Sequence, residues 1–169
     1  MSEIVGPQET SSKQPQTEEP GYWWVNQNRE TYPAEKASYY LFAPFEDKAG
    51  KERIQYKNMA ELKPGDICLH YSEGAIKAVS HVIETVKEGK RPEALTSLPN
   101  EILGQVVRTR YRELASPIAL SEISLELRLT YSGKTFNRKG NPNVRYLTRL
   151  SVEFATKLGE QFPDLTSKF

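Results

Sequence analysis

Two tryptophans and three amides stand together in one short stretch of this chain, Tyr22-Trp23-Trp24-Val25-Asn26-Gln27-Asn28. Indole rings offer flat π surfaces, and the amides beside them both donate and accept hydrogen bonds. The combination suits either a packed core or one wall of a pocket for a flat polar ligand such as a nucleobase. Read as a strand, alternation puts Tyr22, Trp24 and Asn26 on one face and Trp23, Val25 and Gln27 on the other. One indole can then stack on a ligand while its neighbour is core. Trp24 is the first candidate for the wall because it shares a face with Asn26; Trp23 is the second.

An amide in such a place can hydrogen-bond the Watson–Crick edge of a base taken out of its stack. Extrusion costs a few kcal/mol and stacking returns roughly 1–3 kcal/mol per base, so the two are of matching size. The structural alternative for Asn26, Gln27 and Asn28 is a strand end turning into a helix, where amides satisfy free backbone groups. Catalysis has less to stand on. The chain has two histidines, His70 and His81, and one cysteine, Cys68. It lacks Ser/His/Asp spacing, a Cys–His signature, a paired-carboxylate motif and a Gly-rich phosphate loop. One cysteine excludes an intramolecular disulfide framework and a cysteine-cluster zinc site. A binding domain without metal or cofactor is therefore expected, with His70 as a hydrogen-bonded structural residue.

The net charge of +1 hides an uneven distribution. Residues 1–20 carry one Lys against four Glu, whereas residues 106–149 carry nine Lys and Arg against Glu113, Glu122 and Glu126. A basic segment on a near-neutral chain marks either a local anionic partner or a solvated Arg-rich sheet face. No apolar run approaches the roughly 20 residues that span a bilayer. The first residues lack a charged-then-apolar leader, so no membrane association and a cytoplasmic location are expected.

Residues 1–20 are Ser, Thr, Gln, Glu and Pro with two aliphatics, Ile4 and Val5, and read as a disordered tail ahead of one domain over 21–169. After the opening strand, Thr31 reads as an N-cap, with Pro33 in the first turn and Glu35 near the favourable helix end, for a helix to Ser38. Tyr39–Phe42 is a brief strand stopped by Pro44. The charged loop 46–52 leads to a helix over Ile54–Leu62 with Tyr56, Met59, Ala60 and Leu62 on its apolar side. Ile67–Tyr71 and Ala75–Val86 alternate as a hairpin joined through Ser72-Glu73-Gly74. Residues 87–100 read as a polar loop, and Gly104–Leu114 as a strand setting Arg108, Arg110 and Arg112 on one exposed face. Ser121 reads as the cap of a short helix with Ile123 and Leu127 inward. Phe136–Asn143 is a basic turn before a strand over Val144–Leu147. Ser151 caps a last helix whose Val152, Ala155, Leu158 and Phe162 keep helical spacing. With no βαβαβ alternation, the fold class is α+β, a partly closed β-barrel of five or six mixed strands surrounded by short helices.

Six stretches in the same order resemble the EVE domains of the PUA-like superfamily, relatives of the YTH and SRA-type readers. They are the opening Tyr22–Asn28; Tyr40-Leu41-Phe42-Ala43-Pro44; Lys63-Pro64-Gly65-Asp66 through His70-Tyr71-Ser72; and Ala75–Val79. Val106–Leu114 followed by Pro117–Leu120 comes next, and Arg145-Tyr146-Leu147 last. Together they cover nearly everything after residue 20. The opening is most similar to the N-terminal reader of EVE–HNH modification-dependent restriction endonucleases.

That resemblance implies a barrel accepting a flipped modified cytosine, 5-methylcytosine or 5-hydroxymethylcytosine, in an aromatic pocket. Trp24, Trp23, Asn26, Gln27, Phe42, Tyr71 and Ser72 would line the pocket. Double-stranded DNA would lie along Arg29, Lys77, Arg110, Arg112, Lys134, Arg138, Lys139 and Arg145, phosphate contacts that position without reading sequence. Cleavage would belong to a nuclease domain or subunit, since two isolated histidines do not supply an HNH metal site. Relatives often carry Trp where this chain has Phe42, which still stacks but offers no indole N–H. Two other readings stay open: a reader of modified RNA, as in YTH relatives, and a small-molecule or protein-interaction module using the same pocket.

Overall fold

A computed structural model describes residues 19–45, 54–96, 102–131 and 133–166. The expected tail up to residue 18, the charged loop 46–52 and the end of the polar loop at 97–100 lie outside the described residues. The opening stretch forms β1 (Tyr22–Asn26), followed by α1 (Thr31–Ser38) and β2 (Tyr40–Pro44). A 3₁₀ segment over Ile54–Glu61 precedes β3 (Ile67–Ser72) and β4 (Ala75–Val82). Then come β5 (Lys87–Lys90), the long β6 (Leu103–Ala119), α2 (Leu125–Tyr131), β7 (Leu147–Leu150) and α3 (Val152–Gln161).

The seven strands among the described residues make one mixed sheet in the order β2-β6-β4-β3-β1-β7, with β5 also paired to β6. Of these pairs only β1 and β3 run parallel; the others are antiparallel. The sheet curls, because its two ends share a core. Leu41 and Ala43 of β2 sit in one cluster with Trp23 and Val25 of β1 and Leu147 of β7. Met59 and Leu62 fill the same cluster, so the 3₁₀ segment lies against the gap between the edge strands. There Asn58 Nδ2 donates to the Leu147 carbonyl at 2.9 Å. On the outer face, Trp24, Leu69 and Val79 are covered by Leu127 of α2 and by Phe154 and Leu158 of α3. The result is the expected partly closed α+β barrel with short helices around it.

Several elements differ from the sequence reading in bounds or chemistry. Thr31 opens α1 but does not cap it; Asn28 Oδ1 accepts from the Glu30 and Thr31 N–H groups at 3.0 and 2.7 Å. The 54–61 segment is 3₁₀, with Met59 and Leu62 buried as expected and Ala60 exposed; Tyr56's side chain lies outside the described ones. The hairpin turn is the two residues Glu73 and Gly74, both left-handed at φ 51° and 84°, so Ser72 belongs to the strand. β4 stops at Val82, and the expected polar loop contains β5, which takes over the same side of β6. β6 runs on to Ala119 past a bulge opposite Ile76 and Ala78. Gly104 sits where a Cβ would come 2.3 Å from the Ala43 carbonyl oxygen, so β2 and β6 approach closely there.

At the C-terminal end, Ser124 and not Ser121 caps α2, accepting from Leu127 N–H at 3.1 Å, while Ile123 and Leu127 point inward as read. β7 begins three residues later than expected, at Leu147, and Val144 is 95% exposed. Ser151 does cap α3, accepting from Phe154 N–H at 3.1 Å. Phe154 and Leu158 form its buried stripe, which leaves Val152 exposed two residues from Phe154, on the far side of the helix.

Candidate nucleic-acid interface

β2 and β7 end the sheet without pairing to each other, and a buried carboxyl bridges the gap between them. Glu35 of α1 is fully buried. Phe42 N–H of β2 donates to its Oε1 at 3.3 Å, and the Tyr146 hydroxyl, just before β7, lies 2.6 Å from both oxygens. Gln27 Nε2, beyond the end of β1, donates to Oε2 at 2.5 Å. Burial pushes the Glu35 carboxyl up to about 8, against the opposing pull of the Tyr146, Gln27 and Phe42 donors. Near neutral pH the group is therefore mainly the uncharged acid.

The chain of bonds continues inward. With Gln27 Nε2 committed to Glu35, its Oε1 accepts from His70 Nδ1–H at 2.8 Å, and His70 Nε2 accepts from the Ser80 hydroxyl at 2.6 Å. Burial lowers the His70 imidazole to about 3, so the ring is neutral. The expectation of a hydrogen-bonded structural His70 fits this placement. Gln27, expected at the pocket, is 2% exposed and serves as the link between Glu35 and His70.

Neither indole faces open space. Trp23 is fully buried and donates Nε1–H to Asp66 Oδ2 at 3.0 Å; Asp66 also accepts from the Gly21 and Lys63 backbone. Trp24 is 1% exposed, its ring centroid 5.0 Å from that of Tyr71 and 5.1 Å from that of Phe136, with Nε1 buried and unpartnered. The alternation splits the pair between two clusters, as the strand reading requires, and both clusters are core. Phe42 belongs to neither; it packs with Ala34 and Leu95 in a third cluster. Trp24 and Phe42 thus do not wall one cavity in this structure.

What the fold does bring together lies at one end of the sheet. β1 and β3 run parallel and stop there, and β7 starts there. Asn26, Asn28, Tyr71 and Ser72 meet at that end, Ser72 Oγ donating to the Asn28 carbonyl at 3.3 Å. The 134–146 segment joins them, because Asn26 Nδ2 donates to the Asn143 carbonyl at 3.1 Å. Its turn is rigid by its own bonds. Phe136 bridges Pro142, and Asn137 Oδ1 accepts from Lys139 and Asn141 N–H at 2.9 and 3.0 Å. Arg128 of α2 donates to the Gly140 carbonyl at 2.5 Å.

The expected phosphate-contacting cations divide by place. Lys134, Arg138, Lys139 and Arg145 are exposed on the segment joined to this end through Asn143, and among the described residues no ion pair involves their side chains. Arg29 and Lys77 reach the same end but share Glu73, at 3.6 and 3.0 Å. Arg110 is exposed on β6 opposite His81, away from this cluster. Arg112 is a structural residue: it pairs with Asp164 Oδ1 at 3.2 Å and donates to the Asp164 carbonyl at 2.5 Å, tying the C-terminal segment to β6. A groove of about 400 Å³ on another face, lined by Ser38, Tyr40, Glu84, Lys87, Glu88 and Arg108 among others, has mixed charge.

The segment carrying these cations is joined to strand ends fixed by a buried hydrogen-bonded network. Among the described residues no group of three His, Cys, Asp or Glu side chains is placed to hold a metal ion, and no helix is long and apolar enough to cross a membrane. Sequence reasoning missed Glu35 and Tyr146 as structural determinants of this end. One signal was present: Glu35 stands three residues after Tyr32, the spacing of an inward face.

No family model and no curated protein matches the chain. Solved structures do. The YTH domain of the Zygosaccharomyces rouxii MRB1 protein, in complex with N6-methyladenosine RNA, superposes with a TM-score of 0.57 at 10% identity, covering 86% of this chain and 88% of that one. The N-terminal domain of Staphylothermus marinus McrB gives 0.52 at 14%, covering 83% and 93%. A point mutant of the ZmASCH protein of Zymomonas mobilis gives 0.52 at 13%, covering 83% and 95%. At these identities the likeness concerns the fold alone, the partly closed α+β barrel.

Proposed function

We propose that this chain is a non-enzymatic reader domain that binds nucleic acid at the end of the barrel where β1 and β3 stop, and holds a modified base there. The observation that carries the reading is that Asn26, at the strand end it shares with Tyr71 and the buried Ser72, is bonded to a segment carrying four exposed cations outside any ion pair among the described residues, Lys134, Arg138, Lys139 and Arg145. Unpaired cations grouped beside polar strand ends suit a phosphate backbone with a base brought to the sheet. A YTH domain of similar fold is seen in complex with N6-methyladenosine RNA, which supports a modified nucleotide as the ligand class. The resemblance of Tyr22–Asn28 and five further stretches to EVE–HNH readers favours DNA and a modified cytosine, with a nuclease on another domain or subunit. Modified RNA is the second reading, favoured by the YTH likeness.

Fluorescence anisotropy on duplexes carrying cytosine, 5-methylcytosine or 5-hydroxymethylcytosine, with an N6-methyladenosine RNA and its unmodified twin, tests this. Tighter binding to a modified duplex than to its plain counterpart supports the DNA reading. Preference for the methylated RNA moves the assignment to RNA. Equal affinity for all, abolished by added salt, leaves only backbone contacts and removes the reader.

A further inference from the structure

Asn26 holds the chain at two points three residues apart. Its Nδ2 donates to the Asn143 carbonyl at 3.1 Å, and its backbone N–H donates to the Tyr146 carbonyl at 2.8 Å. Both anchor points are fixed a second time. Asn143 donates N–H to the Thr135 carbonyl at 2.8 Å and Nδ2 to the Lys134 carbonyl at 2.7 Å, and the Tyr146 hydroxyl is fixed on Glu35. Val144 and Arg145, the two residues between the anchors, are exposed. Val144 is 95% exposed, a β-branched aliphatic held out into solvent next to the exposed Arg145, with the Lys134 carbonyl held by the neighbouring Asn143. An apolar side chain gains nothing in that position from folding. Its fixed projection beside an exposed arginine suits entry into an apolar space flanked by phosphates, and a stack of base pairs is such a space.

We propose that Val144 is a wedge that enters the base stack of double-stranded DNA beside the nucleotide drawn toward the end of β1, with Arg145 on the adjoining phosphate. The inference rests on the reader assignment and deepens it, because a wedge has work to do in a duplex and none in a single strand. It assigns Asn26 a positioning role: the amide buckles the projection in place. Val144 replaces part of the stacking lost when a base leaves, and the bend of the backbone at Asn143 to Tyr146 sets how far it reaches.

The test compares the native protein with Val144→Ser and Val144→Leu on a duplex carrying 5-methylcytosine with 2-aminopurine as its neighbour, and on the same strand alone. At 95% exposure neither change touches packing, and the melting temperature checks that the fold is kept. The native protein should raise 2-aminopurine fluorescence in the duplex. Val144→Ser should lose that rise and bind the duplex about tenfold more weakly, the size of one lost aliphatic contact, with single-strand binding unchanged. Val144→Leu should keep both signal and affinity. A Ser variant that weakens both substrates equally, or neither, or that keeps the fluorescence rise, overturns the wedge. Equal native affinity for modified and plain duplexes would sink the reader assignment instead, and the 2-aminopurine signal would still decide the wedge.

Discussion

Replacing Glu35 by Gln should remove a fall in stability that the native protein shows between about pH 6.5 and about pH 8. In the folded state burial holds the Glu35 proton up to about 8, while the unfolded chain releases it near the ordinary 4.5. Across that window the folded state carries the extra proton, so stability falls as pH rises, by about 1.4 kcal/mol per unit for one group. The contribution is complete below 4.5 and gone above about 8. His70 acts in the opposite sense. Burial lowers it from 6.5 to about 3, so its contribution is complete above 6.5 and is lost as pH falls toward 3. His81, lowered by burial and then by Arg112 and Arg110, also acts only below its ordinary 6.5.

The Glu35 and His70 slopes therefore cancel between 4.5 and 6.5. Glu35 acts alone above that, and the loss by pH 8 is roughly 2 kcal/mol. Urea unfolding at a series of pH values, with the slope held common, measures it directly. Glu35→Gln cannot titrate, so its curve should rise toward 6.5 and then stay level. A native curve that is flat or rising above 6.5, or a Gln variant that keeps the fall, would refute the placement of Glu35 as a buried neutral acid.

Tyr146→Phe removes the hydroxyl that reaches both Glu35 oxygens and should cost roughly 1–3 kcal/mol in the same urea assay, since a buried acceptor is left short of its donor. Trp24→Ala should cost roughly 3–5 kcal/mol and lower the melting temperature accordingly, because the ring is packed core between Tyr71 and Phe136. A variant that keeps native stability would show that the ring is dispensable to packing. Lys139→Ala should weaken every duplex alike and flatten the salt dependence by about one unit. Arg112→Ala should leave that slope unchanged and instead lower stability, through loss of the Asp164 contacts.

The hairpin of β3 and β4, α1 and the Ser151 cap were legible because each declares itself locally, through alternation, a turn with glycine, or a hydroxyl three residues before its donor. β5 was not. Lys87-Glu88-Gly89-Lys90 has no apolar alternation, and it is a strand because β6 offers a free side there. The start of β7 was misplaced because Val144 reads as a strand residue, whereas hydrogen bonds to Asn26, distant in sequence, hold that valine outside the sheet. At the candidate site, the sequence groups Asn26, Tyr71 and Ser72 only through the family resemblance; in the structure they lie together because parallel β1 and β3 end together. The buried link of Gln27 to Glu35 was not legible beyond the Tyr32–Glu35 spacing, because what buries the two is the unpaired gap between β2 and β7, a property of the closed sheet and of no single segment. Trp24 reads as a pocket wall because it shares a face with Asn26 and because of the family resemblance; helices α2 and α3 cover the outer face that would have left it open.

Chemical-shift mapping of the ¹⁵N-labelled protein with a duplex carrying one 5-methylcytosine tests the central claim most directly. The largest shifts should fall on Asn26, on Tyr71 to Lys77 and on Lys134 to Tyr146, the segments joined at the end of β1. Shifts confined to β5, Tyr40 and Arg108, around the mixed-charge groove, would place the interface on another face and contradict it.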